Sequence, residues 1–561
     1  MSYLSSISLA NRRFITRVNI IAVAKSMAFC KYDKIETIYK IEVDSMDEQI
    51  GMASLDSLNS DQLKGKTIFI RCDFNVPLVA TDKGYYRVAD DTRIRRFLDT
   101  TFKKIHELTE GDCRIIIGSH LGRPHKQKGH VGWDGIFNIQ YVSSHFDTLI
   151  RWRYGDTYTI FPPEVIDSHM KHTLEVASHK RMPPGGIKFL PNLRYLLDPA
   201  NPDANRKAFI DELASVSDVY INCAFGCSHR VTKSIKMLPQ CMRAQKKLVV
   251  AGVLLHQEIK KMGNFGRRVI NHPGKTVVIA GGAKVSDKIN ILKQFVHTGV
   301  KAIFIGGKMV NAFLLAKKEK SNIKPFCLDD IPTTLQSSNV ESNKTLVKEV
   351  LLAGEILDLA QDKGVELKFP DDYKCVDEFK SPKYFVKSDP DLNKEFQLDL
   401  GPKTIENFRK SILADGVENV FWNGPLGAYD HPTNHEYAEG SLELAQLLFG
   451  EALTNPDFSV VIGGGDSAAI LNKVGANQLK SLIKRRIEKQ LAEPINRSLL
   501  SLEFPEEDSY VLWNYLSSNF FVSTGGGAAL EFLEKFLKAE GNDDLASYLP
   551  GTSTLMELAA A

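Results

Sequence analysis

The sequence predicts an α/β protein made of two parallel-sheet domains that face a cleft and are joined by a helical hinge. Three observations predict it. Apolar, β-rich runs alternate with helical patterns from Lys66 to about Leu255 and again from Lys275 to Phe521, as parallel sheets with crossover helices require. Glycine-rich turns close several of those runs, at the strand ends where open α/β sheets bind ligands. The chain's 561 residues also exceed what one core of roughly 250–300 residues accommodates.

Residues 1–55 read as a basic extension ahead of the fold. Residues 1–32 carry Arg12, Arg13, Arg17, Lys25 and Lys31, five serines and no acid. That composition suits an organelle transit peptide. It equally suits a basic tail on a cytoplasmic protein, and both destinations stay open. The apolar run Val18–Val23 is far shorter than the ~20 residues of a membrane span, so no transmembrane segment is expected.

In the first block, residues 56–255, buried strands are expected at Lys66–Arg71, Arg114–Gly118, Ile187–Leu190 and Asp218–Asn222. A helical connection follows near Val253–Met262. In the second block, residues 256–535, strands are expected at Thr276–Ala280, Ala302–Ile305, Glu418–Trp422, Ser459–Ile462 and Asn519–Ser523. Residues 536–561 form a C-terminal segment. Two stretches fit poorly. Residues 130–182 are rich in aromatics and histidine without clear periodicity, and 476–518 are longer than most connections need. Within the second stretch, Leu479, Leu482, Ile483, Ile487 and Leu491 make a helical stripe flanked by Lys and Arg. This reads as a docked helix with a solvated face, or a surface for a partner or membrane.

Hydrophobic content of 43% and charged content of 25% are those of an ordinary globular chain. A net charge of +3 gives no reason to expect nucleic acid as a partner. Eight cysteines without a CxxC pair imply neither a zinc module nor a disulfide framework.

The most informative run is Ser459–Ser467, in which an apolar strand ends in Gly463-Gly464-Gly465 and Asp466-Ser467 follow at once. Glycines let backbone approach a phosphate closely, while an acid and a hydroxyl can hold a metal or cap a helix. Related turns occur at Gly281-Gly282, Gly306-Gly307 and Gly525-Gly526-Gly527. Several strand ends thus converge on one polyphosphate, which marks a nucleotide site. Lys284 and Lys288 lie four apart beyond Gly281-Gly282. A helix starting near Ser286 would aim its first amides and Lys288 at one anion. Asp466 is the candidate Mg²⁺ ligand, since Mg²⁺ on nucleotides takes one or two carboxylates plus phosphates; its alternative is a helix cap. Neither a P-loop nor a dinucleotide fingerprint is present.

In the first block, strand ends carry polar or positive groups: Asp73 and Asn75, then Arg93, His120 with Arg123, Arg194, and His229-Arg230. Arginine suits forked recognition of phosphate or carboxylate. Arg93, Arg123, Arg194 and Arg230 at one sheet edge make a pocket for a small, multiply charged anion, although any one of them alone can be a surface ion pair.

At these residues the chain resembles the phosphoglycerate kinase family. Matching segments are Arg71–Leu78, Asp90–Ile94, Ser119–Pro124, Asn192–Arg194, Ala224–Gly226 with His229-Arg230, Gly281–Ile289, Leu400–Thr404, Trp422–Gly427, Gly463–Ala469 and Ser523–Ala528. They run in the family's order across roughly residues 62–535. The resemblance implies two Rossmann-like domains that close about a hinge, 3-phosphoglycerate on the first and Mg-ADP or Mg-ATP on the second. It implies that Asp73, Asn75, Arg93, His120, Arg123, Arg194 and Arg230 hold the glycerate, with Arg93 also reaching the transferring phosphoryl group. It implies that Lys284 and Lys288 steady the nucleotide phosphates, that Asn423 lies near them, and that Asp430 stands at the ribose-binding position. Gly526 and Gly527 would meet developing charge with backbone amides, in a monomer acting on small molecules.

The chain departs from the family's pattern at Cys223, where Asp is usual, Thr232 (His), Pro191 (Glu), Lys308 (Gly) and Asp430 (Glu). Lys308 matters most, because it either narrows the pocket beside the base or swings outward. These changes leave a second reading, a non-catalytic relative with an impaired nucleotide site. A nicotinamide dehydrogenase would also use glycine turns but requires the missing fingerprint.

Overall fold

The computed structural model describes residues 51–561 apart from 83, 125–134, 164–181, 198–205, 320–325, 382, 415, 430, 432–434, 456, 465–466, 468–518, 524, 543 and 557–561. Residues 1–50 of the N-terminal extension, the 479–491 stripe, Asp430, Gly465 and Asp466 lie outside the described residues.

The first sheet contains β1 (Thr67–Arg71), β2 (Arg114–Gly118), β3 (Thr159–Phe161), β4 (Gly186–Phe189), β5 (Val219–Asn222) and β6 (Leu248–Ala251). Their order is β3-β4-β2-β1-β5-β6, with every pairing parallel. Runs such as Thr-Ile-Phe-Ile-Arg are buried throughout, because helices cover both faces of a parallel sheet and no alternation is needed. The described residues of the 130–182 stretch supply a helix, Gln140–Tyr154, and the edge strand β3. Val142, Phe146, Leu149 and Ile150 form that helix's buried stripe. Solvent-facing Trp152, 73% exposed, blurs the pattern in the sequence.

The second sheet contains β7 (Thr276–Ala280), β8 (Ala302–Ile305) and β9 (Glu366–Lys368). A small antiparallel sheet follows, made of β10 (Tyr373–Val376), β11 (Phe385–Lys387) and β12 (Phe396–Leu400). The chain then returns with β13 (Asn419–Asn423), β14 (Ser459–Gly463) and β15 (Phe520–Ser523). The larger sheet runs β9-β8-β7-β13-β14-β15, again all parallel.

Short helix α1 (Thr92–Phe97) lies beside β1's end, and α2 (Val253–Asn271) carries the chain from β6 toward β7. Gly263 and Gly266 on α2 sit against Leu545 and Phe536, where a Cβ would meet those side chains at 2.5 Å and 2.4 Å. Beyond β7 come α3 (Ile289–Thr298) and α4 (Val340–Lys363), and α5 (Gly527–Lys538) follows β15. The final helix, α6 (Pro550–Met556), packs back beside β6. There the Gly551 amide donates to the Ser228 carbonyl at 2.8 Å, and Arg243 Nη2 donates to the Thr554 carbonyl at 3.1 Å. At the other end, the Gly51 amide donates to Asp544 Oδ2 at 3.0 Å. Leu549 and Leu555 are fully buried in a core that also takes in Phe69, Leu238 and Phe536.

Candidate functional site

On the first sheet, the carboxyl ends of β1, β2 and β5 are level, because Arg71 pairs with both Gly118 and Asn222. The residues just beyond therefore meet. Arg93 Nη1 lies 2.6 Å from Asp73 Oδ2, and His120 Nδ1 lies 3.9 Å from Asp73 Oδ1. The Gly122 amide donates to Asn75 Oδ1 at 2.7 Å, while Arg194 Nη1 donates to the Gly122 carbonyl. Asn192 fixes this loop, accepting from the Leu121 amide at 3.2 Å and donating to the Leu121 carbonyl at 2.8 Å. Arg230 is exposed and its Nε donates to His229 Nε2 at 3.1 Å. Arg123 is exposed at the rim.

Burial would raise Asp73, but the charges of Arg93 and Arg71 outweigh it and hold the carboxyl down at about 2. Burial also pushes His120 down to about 3, with Arg71, Arg194 and Arg93 pushing the same way against Asp73. His120 is therefore a neutral ring in the physiological range. The positive charge of the pocket comes from guanidinium groups.

Arg71 belongs to this pocket and is absent from the sequence-based candidates. It is 3% exposed. Its Nε donates to Ser234 Oγ at 3.2 Å, and its Nη2 approaches His120 Nδ1 at 3.4 Å and Cys227 Sγ at 3.6 Å. The signal was an arginine closing an otherwise apolar buried strand. Arg96 and Glu258 line the same cleft with Asp73, Arg93 and Gly226, and they too escape sequence reading.

On the second sheet one register row runs Ile305, Ala280, Asn423, Gly463, Ser523. Immediately beyond it stand Gly306-Gly307, Gly281-Gly282, Gly424, Gly464 and Gly525, so the separate glycine turns form one ledge. Packing requires several of them. A Cβ at Gly281 would sit 2.2 Å from the Pro425 carbonyl oxygen, and Gly307 combines a φ of +64° with a clash at 2.6 Å. The Gly282 amide donates to Pro425 at 2.7 Å, and the Gly307 amide donates to Leu426 at 3.0 Å. Asn423 Nδ2 donates to the Gly463 carbonyl at 2.7 Å, and Ser467 Oγ accepts from the Gly424 amide at 2.8 Å. Asn423 and Ser467 are thus buried ties that shape the ledge.

Lys288 brings its Nζ to 3.3 Å from where a Gly282 Cβ would stand. Lys284 and Lys308 are both exposed. The expected helix start near Ser286 is corrected: Lys288 is the N-cap and α3 begins at Ile289. Buried Glu349 on α4 takes the Ser286 amide at 2.8 Å and its hydroxyl at 2.5 Å. That amide is already satisfied internally and does not face a ligand. For Mg²⁺, the candidate ligand Asp466 falls outside the described residues. Of its neighbours, the Gly463 carbonyl is taken by Asn423 and Ser467 Oγ by the Gly424 amide, so a carboxylate at 466 is the group left to meet a hard cation.

The two ledges touch. The Cβ position of Gly226 lies 2.5 Å from Asp73 Oδ2 and 3.5 Å from the Gly525 carbonyl oxygen. That of Gly527, the first residue of α5, lies 3.9 Å from His229 Nε2. Gly526, with φ +55° and ψ −122°, is the N-cap of α5, so that helix starts beside His229 of the first ledge.

A family model described as phosphoglycerate kinase matches residues 58–535. The chain is 31% identical over 488 residues to a phosphoglycerate kinase of Moorella thermoacetica, covering 86% of this chain and 97% of that one. It is 30% identical over 485 residues to that of Gloeobacter violaceus, covering 86% and 96%. Among solved structures, the phosphoglycerate kinase of Pyrococcus horikoshii superposes with a TM-score of 0.60 at 20% identity, over 91% of this chain and 99% of that one. That of Coxiella burnetii gives 0.55 at 24%, over 91% and 100%.

Proposed function

Because the chain belongs to the phosphoglycerate kinase family, we propose that it moves the acyl phosphate of 1,3-bisphosphoglycerate to ADP, reversibly, giving 3-phosphoglycerate and ATP. The observation that carries this reading is the contact of the two ledges, guanidinium groups on one and a register row of glycine turns on the other. Phosphoryl transfer asks mainly for in-line placement and charge neutralisation.

Residues 56–255 hold the glycerate and 256–535 the nucleotide in this reading. Arg194 and Arg123 clamp the anion's phosphate, with Asn75 shaping the Gly122 turn beneath it. Neutral His120 offers a ring N–H, and Asp73 aims Arg93 at the group in transit. Arg230 and the amides of Gly526 and Gly527 take up the charge that develops there. Lys284 and Lys288 steady the nucleotide phosphates over Gly281-Gly282 and Gly306-Gly307. Asn423, Gly463, Gly464 and Ser467 set the ledge, and Asp430 receives the ribose. Mg²⁺ arriving with the nucleotide would be held by Asp466 and Gly465's turn, and it neutralises phosphate charge. Closure about α2 excludes water from an acyl phosphate that hydrolyses readily.

The test is turnover by the full chain with 3-phosphoglycerate and Mg-ATP under a coupled readout, beside Lys284→Ala. Activity that vanishes in the variant supports the kinase. A folded chain that binds 3-phosphoglycerate without turnover would favour the non-catalytic reading.

A further inference from the structure

The small antiparallel sheet ends in an open edge. Among the described strands, β11 pairs with β10 alone, in the register Tyr373–Lys387, Lys374–Val386 and Cys375–Phe385. Cys375 and Lys374 are 0% and 4% exposed, whereas Phe385 and Val386 beside them are 36% and 48% exposed. Both residues are covered on the sheet side and open at the edge. An edge strand also presents a row of amides and carbonyls with no ladder partner.

Lysines commonly blunt such an edge, and Lys383 and Lys387 flank the apolar pair. Here the segment also carries the answering charge. Lys383 stands three residues before Val386 and Asp389 three residues after it. Both lie just outside the strand and are exposed, and among the described residues neither is in an ion pair. A second copy laid antiparallel, with Val386 opposite its twin on a two-fold axis, sets Lys383 against Asp389 of that copy. It sets Phe385 against the stem of Lys387, whose ammonium Glu395 holds at 2.7 Å. An axis at Phe385 would instead oppose Lys383 and Lys387, and one at Lys387 would oppose Phe385 and Asp389. Cross-strand pairs of opposite charge or of β-branched residues favour a register, and like charges oppose it.

We propose that β11 is the contact of a homodimer, in which two three-stranded sheets join edge to edge across a two-fold axis at Val386. The same patch serves both copies, as closed two-fold symmetry requires. A three-residue strand buries far less than a standard interface of about 1,600 Å², so the dimer is transient and depends on concentration. The monomer that the family resemblance implies is then the dilute form of the chain. None of these residues is assigned to glycerate or nucleotide, so the proposal stands apart from the reaction.

The experiment is sedimentation velocity of the full chain from micromolar to millimolar concentration. The weight-average coefficient should climb from the monomer's toward the dimer's value. Lys383→Glu and Asp389→Lys each bring like charges together twice per dimer and should each weaken association at least about tenfold. The double variant Lys383→Glu with Asp389→Lys restores the pairing and should recover most of that loss. Val386→Lys sets two ammonium groups on the axis and should leave a monomer throughout, with an unchanged melting temperature as the check on its fold. A wild-type chain that stays monomeric at every concentration overturns the proposal. So does a dimer indifferent to Val386→Lys, which would use another surface, or a double variant no better than the single ones.

Discussion

Arg96 Nη1 lies 3.2 Å from Glu258 Oε1, with side-chain exposures of 8% and 1%. The pair ties α1, which carries Arg93, to α2, which leads to the second sheet. Removing one partner of a buried pair strands a charge and costs about 3–5 kcal/mol, whereas replacing both with apolar groups is often neutral. Glu258→Gln should therefore unfold at clearly lower urea, and Arg96→Met with Glu258→Leu should recover most of the loss. Equal midpoints for wild type and Glu258→Gln would show that the pair carries no such weight.

Arg93→Ala should abolish turnover while the fold and nucleotide binding persist, because Arg93 stands on the first ledge, paired with Asp73. A residual rate within about tenfold, roughly 1.4 kcal/mol of barrier, would sink its assigned role. Nucleotide affinity by calorimetry supplies the control.

Glu349 is the hidden support of the lysine turn, since both of its oxygens hold Ser286. Glu349→Ala strands the amide and should cost about 1–3 kcal/mol. It should also weaken ADP binding, with 3-phosphoglycerate binding spared. If both ligands weaken alike, the damage is general and the turn has no special dependence.

Asp399 is fully buried on β12, and burial raises its carboxyl to about 7 against the Gly440 amide. It is protonated in both states below about pH 4, where its full contribution is present. Between about 4 and 7 the unfolded chain releases the proton first, so stability falls as pH rises. Asp399→Asn should flatten that slope and melt higher than wild type at pH 8, with little difference near pH 4. Parallel melting curves across this range would refute the assignment.

Gly281→Ala places a methyl 2.2 Å from the Pro425 carbonyl oxygen, backbone that cannot step aside cheaply. ADP affinity should fall at least about tenfold. The nearby Gly274→Ala, where a Cβ meets nothing within 4 Å, should be silent. Unchanged ADP binding in Gly281→Ala would mean the ledge does not hold nucleotide.

The central strands were legible in the sequence because a fully buried parallel strand is a bare apolar run with a glycine or polar stop. Thr276–Ala280 and Ala302–Ile305 coincide with β7 and β8 to the residue. Two edge strands were not: Thr159–Phe161 and Glu366–Lys368 have three residues each and partial exposure, so no run stands out. In the candidate site, the glycine turns and strand-end arginines announced themselves by position. Arg71, Glu258 and Glu349 did not, because each is a charged residue inside an apolar segment whose partner lies far off in sequence. The helix start near Ser286 failed for the same reason: a carboxylate 63 residues away claims the amide that local patterning left free.

The return of α6 to the edge beside β6 has a consequence for biosynthesis. About 300 residues separate that strand from its cover, and at ribosomal rates they take on the order of tens of seconds to make. Through that interval the apolar surface awaiting Leu549 and Leu555 stays open on a nascent chain, within reach of chaperones. The half of the molecule that is made first is the half that is finished last.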